Sequence, residues 1–314
     1  METSTTIHQM QRLQNASQEN GPLCIGLDTD PSYIPENILS QFACPQKAVL
    51  AYNKALISAC KPFISCAKVQ IAYYEAMGIK GLETYAQTLA LLRQAGIPVI
   101  SDIKRGDIAD TAKAYARAHF SGDFETDIIT VNPYMGFDTL KPFTEWCSKE
   151  KGGKGLFVLL CTSNPGMTDI EHQKLANRTV LLEKVGDELE RIGKEFKSEY
   201  PQQNCGPVGA VVGATQEKDA KYLREKYPDT FFLIPGYGAQ GGAARIAGTL
   251  LQKAGGVVNS SRGILCAWKK DEQLAQKRES KILTMDDIVA SAARNAEFSK
   301  NDLLKAKAEV ENEL

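Results

Sequence analysis

Short apolar runs alternate with longer segments whose apolar positions recur every three to four residues, and this rhythm persists through most of the chain. The first kind reads as a strand buried on both faces and the second as an amphipathic helix. Their alternation predicts repeated β–α units around a parallel sheet. Eight strands are predicted, at 22–28 (PLCIGLD), 63–69 (FISCAKV), 98–104 (PVISDIK), 127–131 (DIITV), 155–161 (GLFVLLC), 207–213 (PVGAVVG), 231–235 (FFLIP) and 256–261 (GVVNSS). Helices are predicted at 47–60, 76–95, 111–119, 175–196 and 216–226, with others flanking the repeats at 5–19 and 284–313. Eight such units predict an α/β fold, a (β/α)8 TIM barrel with extra N- and C-terminal helices. A doubly wound open sheet is the alternative, but the first β–α junction, CIGLDTDPSYIP, lacks the GxGxxG turn that dinucleotide binding needs.

Composition narrows the function classes. The 314 residues, 43% hydrophobic and 24% charged, supply ample core, and no Pro/Gly/Ser linker divides them. A single domain over 1–314 is expected, with its barrel core over about 20–295. The net charge of −1, with Lys and Glu intermixed, provides no basic stripe for a nucleic-acid polymer, so any nucleotide partner should be a small molecule. No run approaches the roughly 18 apolar residues of a membrane span, and the polar start METSTTIHQMQRLQ has no signal-peptide core. No membrane partner and a cytoplasmic location are expected. The eight cysteines form no CxxC pair and read as buried reduced thiols, while His8, His119 and His172 make no HxxxH pattern, so no metal site is expected.

In a barrel of this type the chemistry sits on loops that follow the strands. Those ends are rich in polar residues here: Asp28 after strand 1, Lys68 near the end of strand 2, SDIKRGDIADT after strand 3, CTSNPG after strand 5, PGYGAQGG after strand 7 and NSSRG after strand 8. Side-chain alternation points Asp102 and Lys104 the same way, towards the barrel mouth, with Ile103 towards the helices. An acid and a base within an apolar strand make either a structural ion pair or a working site. Asp107, just before a helical run, suits helix capping and catalysis equally. Lys68 either snorkels past its strand end or points inward. In the second case Asp102, Lys104, Lys68 and Asp107 alternate in sign around one cavity, an array suited to creating or protonating a carbanion. The glycines of PGYGAQGG, with Gln240, and the following Arg262-Gly263 form a candidate phosphate site.

The DxKxxDI core of SDIKRGDIADTAKAYA, followed by PGYGAQGG and SSRG, resembles orotidine 5'-phosphate decarboxylase, particularly its longer bacterial-type (type 2) branch, over roughly residues 20 to 295. The resemblance implies cofactor-independent loss of the C6 carboxylate of orotidine 5'-monophosphate as CO₂, giving uridine 5'-monophosphate in pyrimidine biosynthesis. It implies Lys104 as proton donor to C6, Asp102 facing the departing carboxylate, and Lys68 bridging the array and the ribose. It further implies Asp107 and Thr111 reaching the ribose region of the partner subunit's site, and hence a homodimer with shared active sites. Asp28 resembles the ribose-binding aspartate and Ser163 the pyrimidine contact, with Asn132 and Thr162 as further pyrimidine candidates. Gln240, Arg262 and the Gly263 amide resemble the 5'-phosphate contacts. Insertions at 132–154 and 164–180 and a polar tail after 295 depart from the shorter branch.

Two other classes fit parts of the pattern. A Mg²⁺-dependent sugar-phosphate decarboxylase of the same superfamily would share DxKxxD but needs an acidic ligand at the end of strand 2, where none occurs before Glu75. A non-catalytic phosphate-binding barrel would keep PGYGAQGG and Arg262 and have no need of the Asp/Lys array.

Overall fold

The computed structural model describes residues 7–213, 215–237 and 242–313. Its strands are β1 (Leu23–Gly26), β2 (Cys66–Gln70), β3 (Val99–Arg105), β4 (Ile128–Val131), β5 (Gly155–Cys161), β6 (Val208–Val212), β7 (Phe232–Ile234) and β8 (Gly256–Ser260). They pair in parallel in sequence order and β8 returns to β1, so the sheet closes into the expected (β/α)8 barrel without an edge. The larger helices are α1 (Gln9–Asn20), α2 (Pro45–Cys60), α3 (Ile79–Gln94), α4 (Ala109–Phe120), α5 (Leu181–Glu195), α6 (Glu217–Lys226), α7 (Gly242–Leu250) and α8 (Met285–Glu313).

Period-2 alternation sorts each strand into two populations. Leu23, Ile25, Ala67, Val69, Val99, Ile129, Leu156 and Val158 face outward into one continuous core with the helices. Cys24, Cys66, Ile100, Ile128, Phe157, Val211, Leu233 and Val257 fill the barrel interior. Two residues further along several strands the interior turns polar: Lys68 follows Cys66, Asp102 follows Ile100, Thr130 follows Ile128 and Asn259 follows Val257. An apolar layer therefore floors a polar one at the C-terminal mouth. Dry packing beneath and charge above is what lets this end carry chemistry.

The terminal helices have different jobs. Met10 and Leu13 of α1 are fully buried with the interior residues of the strands, so α1 plugs the N-terminal end of the barrel. It is fastened there by His8, whose Nδ1 accepts from the Gln11 N–H at 3.0 Å and whose Nε2 therefore donates to the Cys205 carbonyl at 3.0 Å. The C-terminal helix α8 packs against both α7 and α2, completing the outer ring.

Two predicted helices need correction. The segment 76–95 begins as a helix only at Ile79, after a separate turn of helix at Ile71–Glu75. The segment 175–196 is helical only from Leu181: Asn177 and Arg178, the latter at φ 69°, close a tight turn instead, with Leu175 N–H donating to the Thr179 carbonyl and Lys174 bridging Val180. The second predicted strand also starts later, because Lys61–Phe63 forms a 3-10 turn.

Candidate active site

The end of β3 is irregular. Between β3 and β4 the register runs from Ser101 opposite Ile129 to Arg105 opposite Val131, so β3 carries a bulge of extra residues. Within it Lys104 adopts φ 46°, a left-handed conformation that a non-glycine residue holds only when its surroundings enforce it. Thr130 of β4 does so. Its hydroxyl accepts from the N–H groups of Ile103 and Lys104, each at 3.0 Å, and donates to Asp102 Oδ1 at 2.7 Å. One side chain thus uses its full hydrogen-bonding capacity to hold the bulge and orient the carboxylate.

Around Asp102 the charges alternate. Lys104 Nζ lies 2.7 Å from Asp102 Oδ1; Lys68 Nζ lies 3.0 Å from Asp102 Oδ2 and 3.1 Å from Asp28 Oδ1. Gln70 Nε2 donates to Asp102 Oδ2 at 3.0 Å, and the Ser261 hydroxyl to Asp28 Oδ2 at 2.7 Å. The order Asp28–Lys68–Asp102–Lys104 runs across the ends of β1, β2 and β3. Gly26 makes the approach of β8 possible, since a Cβ there would stand 2.0 Å from Ser261 Oγ.

Exposure divides the array. The side chains of Lys68 and Asp102 are 6% and 8% exposed, whereas that of Lys104 is 46% exposed at the mouth. Burial alone would push the Asp102 carboxyl up, but the ammonium groups of Lys68 and Lys104, with the Lys104 and Thr130 hydrogen bonds, hold it well below the usual carboxylate range. Burial would likewise lower the Lys68 ammonium, yet Asp102 and Asp28 raise it above its ordinary value. Each group's partners favour its charged form. The buried charges balance one another, and Lys104 is the cation left open to a ligand.

The remaining sequence candidates fall in several places. Asp107 is half-buried and makes no ion pair among the described residues; its carboxylate accepts from the neighbouring Ile108 N–H at 2.8 Å, and Ile108, not Asp107, occupies the N-cap of α4. Within this chain the fourth member of the array is therefore Asp28, where the sequence suggested Asp107. Thr111 is exposed in the first turn of α4, beside the exposed Ile108. Ser163 is exposed after β5 and packs against Gly213, at the end of β6, which Pro235, after β7, also approaches. Arg262 and Gly263 open a short helix, Arg262–Leu265, directly after β8, with Arg262 exposed. Gln240 lies outside the described residues. Asn132 is occupied locally, accepting from the Tyr134 N–H at 3.0 Å, and Thr162 is held by Glu171.

Glu75, the one acidic residue near the end of β2, pairs with Arg105 at 2.7 Å, and Arg105 also lies over the Tyr115 ring. No cluster of three or more His, Cys, Asp or Glu side chains with metal-holding geometry occurs among the described residues. Thr130, Gln70 and Glu171 carry no sequence motif, and Ser261 lies in NSSRG without being singled out by it. Only their position at a strand end or in an adjoining loop could have marked them.

Fold and array together define a (β/α)8 barrel of the Asp-x-Lys-x-x-Asp class, with acid and base alternating at the ends of the first three strands. The comparisons with known proteins agree with that class. The chain belongs to the orotidine 5'-phosphate decarboxylase / HUMPS family, whose model matches residues 21–277. A curated orotidine 5'-phosphate decarboxylase of Clostridium botulinum is 49% identical over 265 residues, covering 83% of this chain and 90% of that protein. Another, of Clostridium novyi, is 47% identical over 264 residues, with the same coverage. Among solved structures, the OMP decarboxylase of Leishmania donovani superposes with a TM-score of 0.67 at 27% identity, over 95% of this chain and 99% of that one.

Proposed function

We propose that the chain decarboxylates orotidine 5'-monophosphate to uridine 5'-monophosphate and CO₂ in the cytoplasm, without metal or cofactor, with Lys104 delivering the proton to C6. The observation that carries this reading is the Asp28–Lys68–Asp102–Lys104 array, whose single exposed ammonium lies 2.7 Å from the buried Asp102 carboxylate. Family membership and relatives named for this activity support it.

The chemistry follows from the charges. Heterolysis of the C6–carboxylate bond releases CO₂ and leaves its electron pair on C6, with no electron sink in the ring. The barrier belongs near the upper end of the roughly 8–23 kcal/mol that enzymes typically remove, and electrostatics must supply most of it. A substrate carboxylate seated beside Asp102 meets a charge of its own sign. As CO₂ leaves, the negative charge moves to C6, towards the Lys104 ammonium, which then transfers a proton to form the C6–H bond and becomes a neutral amine. Lys68 holds Asp102 and Asp28 together, leaving Asp28 placed to accept from a ribose hydroxyl. Arg262 and the Gly263 amide, with Gln240, would bind the 5'-phosphate far from the reacting carbon and supply the binding energy that positions the base.

The site is completed across a homodimer in this reading. Asp107 makes no ion pair with the array among the described residues and Thr111 is exposed, and the segments that follow β3 and β4 also expose the apolar side chains Ile108, Tyr134 and Met135. A two-fold contact over this face would bury that surface and deliver the two polar groups to the partner's ribose. The direct test is product analysis after adding purified, chelator-treated protein to orotidine 5'-monophosphate. Equimolar uridine 5'-monophosphate and CO₂ are expected. Absence of both with well-folded protein, or turnover only after Mg²⁺ is restored, would contradict the assignment.

A further inference from the structure

The insertion between β5 and α5 folds back onto the end of β5 through one side chain. After the 3-10 turn Pro165–Asp169, Glu171 returns to the strand end, and its two carboxylate oxygens accept from the backbone N–H and the hydroxyl of Thr162 at 2.8 and 2.6 Å. The backbone of Glu171 is itself fixed at both ends. Its N–H donates to the Met167 carbonyl at 2.8 Å, and its carbonyl accepts from the Leu182 N–H at 2.9 Å, in the first turn of α5. Leu182 is buried in the core between the strands and helices, so Glu171 ties Thr162 to a rigid element.

The next residue is clamped from the other side. A Cβ on Gly213 would stand 2.9 Å from Ser163 Cβ, 3.0 Å from Ser163 N and 3.2 Å from Pro235 Cγ, so only glycine at this position lets β6 approach so closely. Thr162 and Ser163 are held between the insertion and the end of β6. Both groups that Glu171 binds are neutral, so the arrangement needs two hydrogen-bonding positions at that spot more than it needs a negative charge.

The geometry points to Glu171 as a positioning residue for the pyrimidine end of the site, acting through Thr162 to fix Ser163 against the base. This rests on the proposed function only in taking Ser163 as the pyrimidine contact. It assigns the 164–180 insertion a role, as a strap that sets the conformation of the β5 loop from the N-terminus of α5.

The test compares affinities for uridine 5'-monophosphate and ribose 5-phosphate by calorimetry, with steady-state decarboxylation, in wild type, Glu171→Ala, Glu171→Gln, Ser163→Ala and the Glu171→Ala/Ser163→Ala double variant. Glu171→Ala is expected to weaken the nucleotide about tenfold, the consequence of losing hydrogen bonds that hold its contact, while ribose 5-phosphate affinity changes less than about twofold. KM should rise with the dissociation constant and kcat should fall less. Glu171→Gln is expected to stay within about threefold of wild type, since its amide oxygen accepts from the Thr162 N–H and its NH₂ donates to the Thr162 hydroxyl, which can also accept. The double variant should be no weaker than Glu171→Ala. Unchanged nucleotide affinity in Glu171→Ala or in Ser163→Ala, equal losses for both ligands, or Gln as damaging as Ala would overturn the positioning role. A wild type unable to decarboxylate orotidine 5'-monophosphate would instead remove the functional reading beneath it; an active wild type with an indifferent Glu171→Ala removes only the strap.

Discussion

Replacing Thr130 with valine removes one hydroxyl and almost no volume, yet three hydrogen bonds at the centre of the site disappear with it. The Ile103 and Lys104 N–H groups lose their acceptor, and Asp102 loses a donor to its charged oxygen. Each unsatisfied buried group costs about 1–3 kcal/mol, partly relieved where Lys104 reaches solvent, so a net loss of about 2–4 kcal/mol is expected. For a chain of this size that lowers Tm by roughly 4–8 °C. Activity should suffer more than stability. The bulge holds Lys104 in a left-handed conformation that costs about 1–2 kcal/mol in isolation, and without the Thr130 hydroxyl the acceptor that fixes its N–H there is gone. Misplacement of a catalytic group by about 1 Å costs on the order of 100-fold in rate. Calorimetric Tm and initial rates of orotidine 5'-monophosphate consumption measure both effects, with Thr130→Ser as the control that keeps the hydroxyl and should recover most of each. Thr130→Val with wild-type kcat would refute the claim that this hydroxyl sets the Lys104 geometry.

Other consequences are open to measurement. The buried His8 and His119 imidazoles are both pushed down to about 4, below their ordinary value of 6.5, chiefly by burial. The unfolded chain therefore binds more protons between about pH 6.5 and 4, and these two groups make stability fall as the pH drops through that window; in His8→Gln, which replaces one of the pair, their contribution to the slope of Tm against pH should be about halved. An unaltered slope would exclude His8. Leu13→Ala should cost about 2–5 kcal/mol by opening a cavity under the barrel, with KM unchanged because the plug lies at the opposite end from the site. Mixing inactive Lys104→Ala with inactive Asp107→Ala should restore about one quarter of wild-type activity if two-fold dimers exchange subunits and share sites, and none if each site is built from one chain.

The barrel was legible because its strands are buried on both faces and its helices on one, two patterns with different periods. Legibility failed where a local turn imitated a helical period. Leu175, Leu182, Val185, Leu189 and Ile192 are spaced like one face of a helix, but Asn177 accepts from the Thr179 N–H and hydroxyl, and that turn competes successfully with helix formation at the start of the segment. In the site, Asp102, Lys104 and Lys68 stood out as charges within apolar strands. Their mutual geometry was only half readable: simple alternation brings Lys104 to the mouth side, whereas the structure reaches the same contact through a bulge that no Gly or Pro announces. Thr130 was invisible because threonine is an ordinary strand residue, and only its place opposite the bulge gives it a role. Asp28 and Ser261 lie 233 positions apart in the chain, and barrel closure alone makes them neighbours.

The most direct measurement is the rate of absorbance change when orotidine 5'-monophosphate meets wild-type protein and Lys104→Ala, each treated with chelator and each checked for uridine 5'-monophosphate binding. Loss of both charge stabilisation and proton delivery predicts a fall in kcat of at least about 1,000-fold in the variant, with nucleotide binding retained. A variant that binds the nucleotide and still turns over within about tenfold of wild type would contradict the assignment of Lys104 as the group that stabilises and protonates C6.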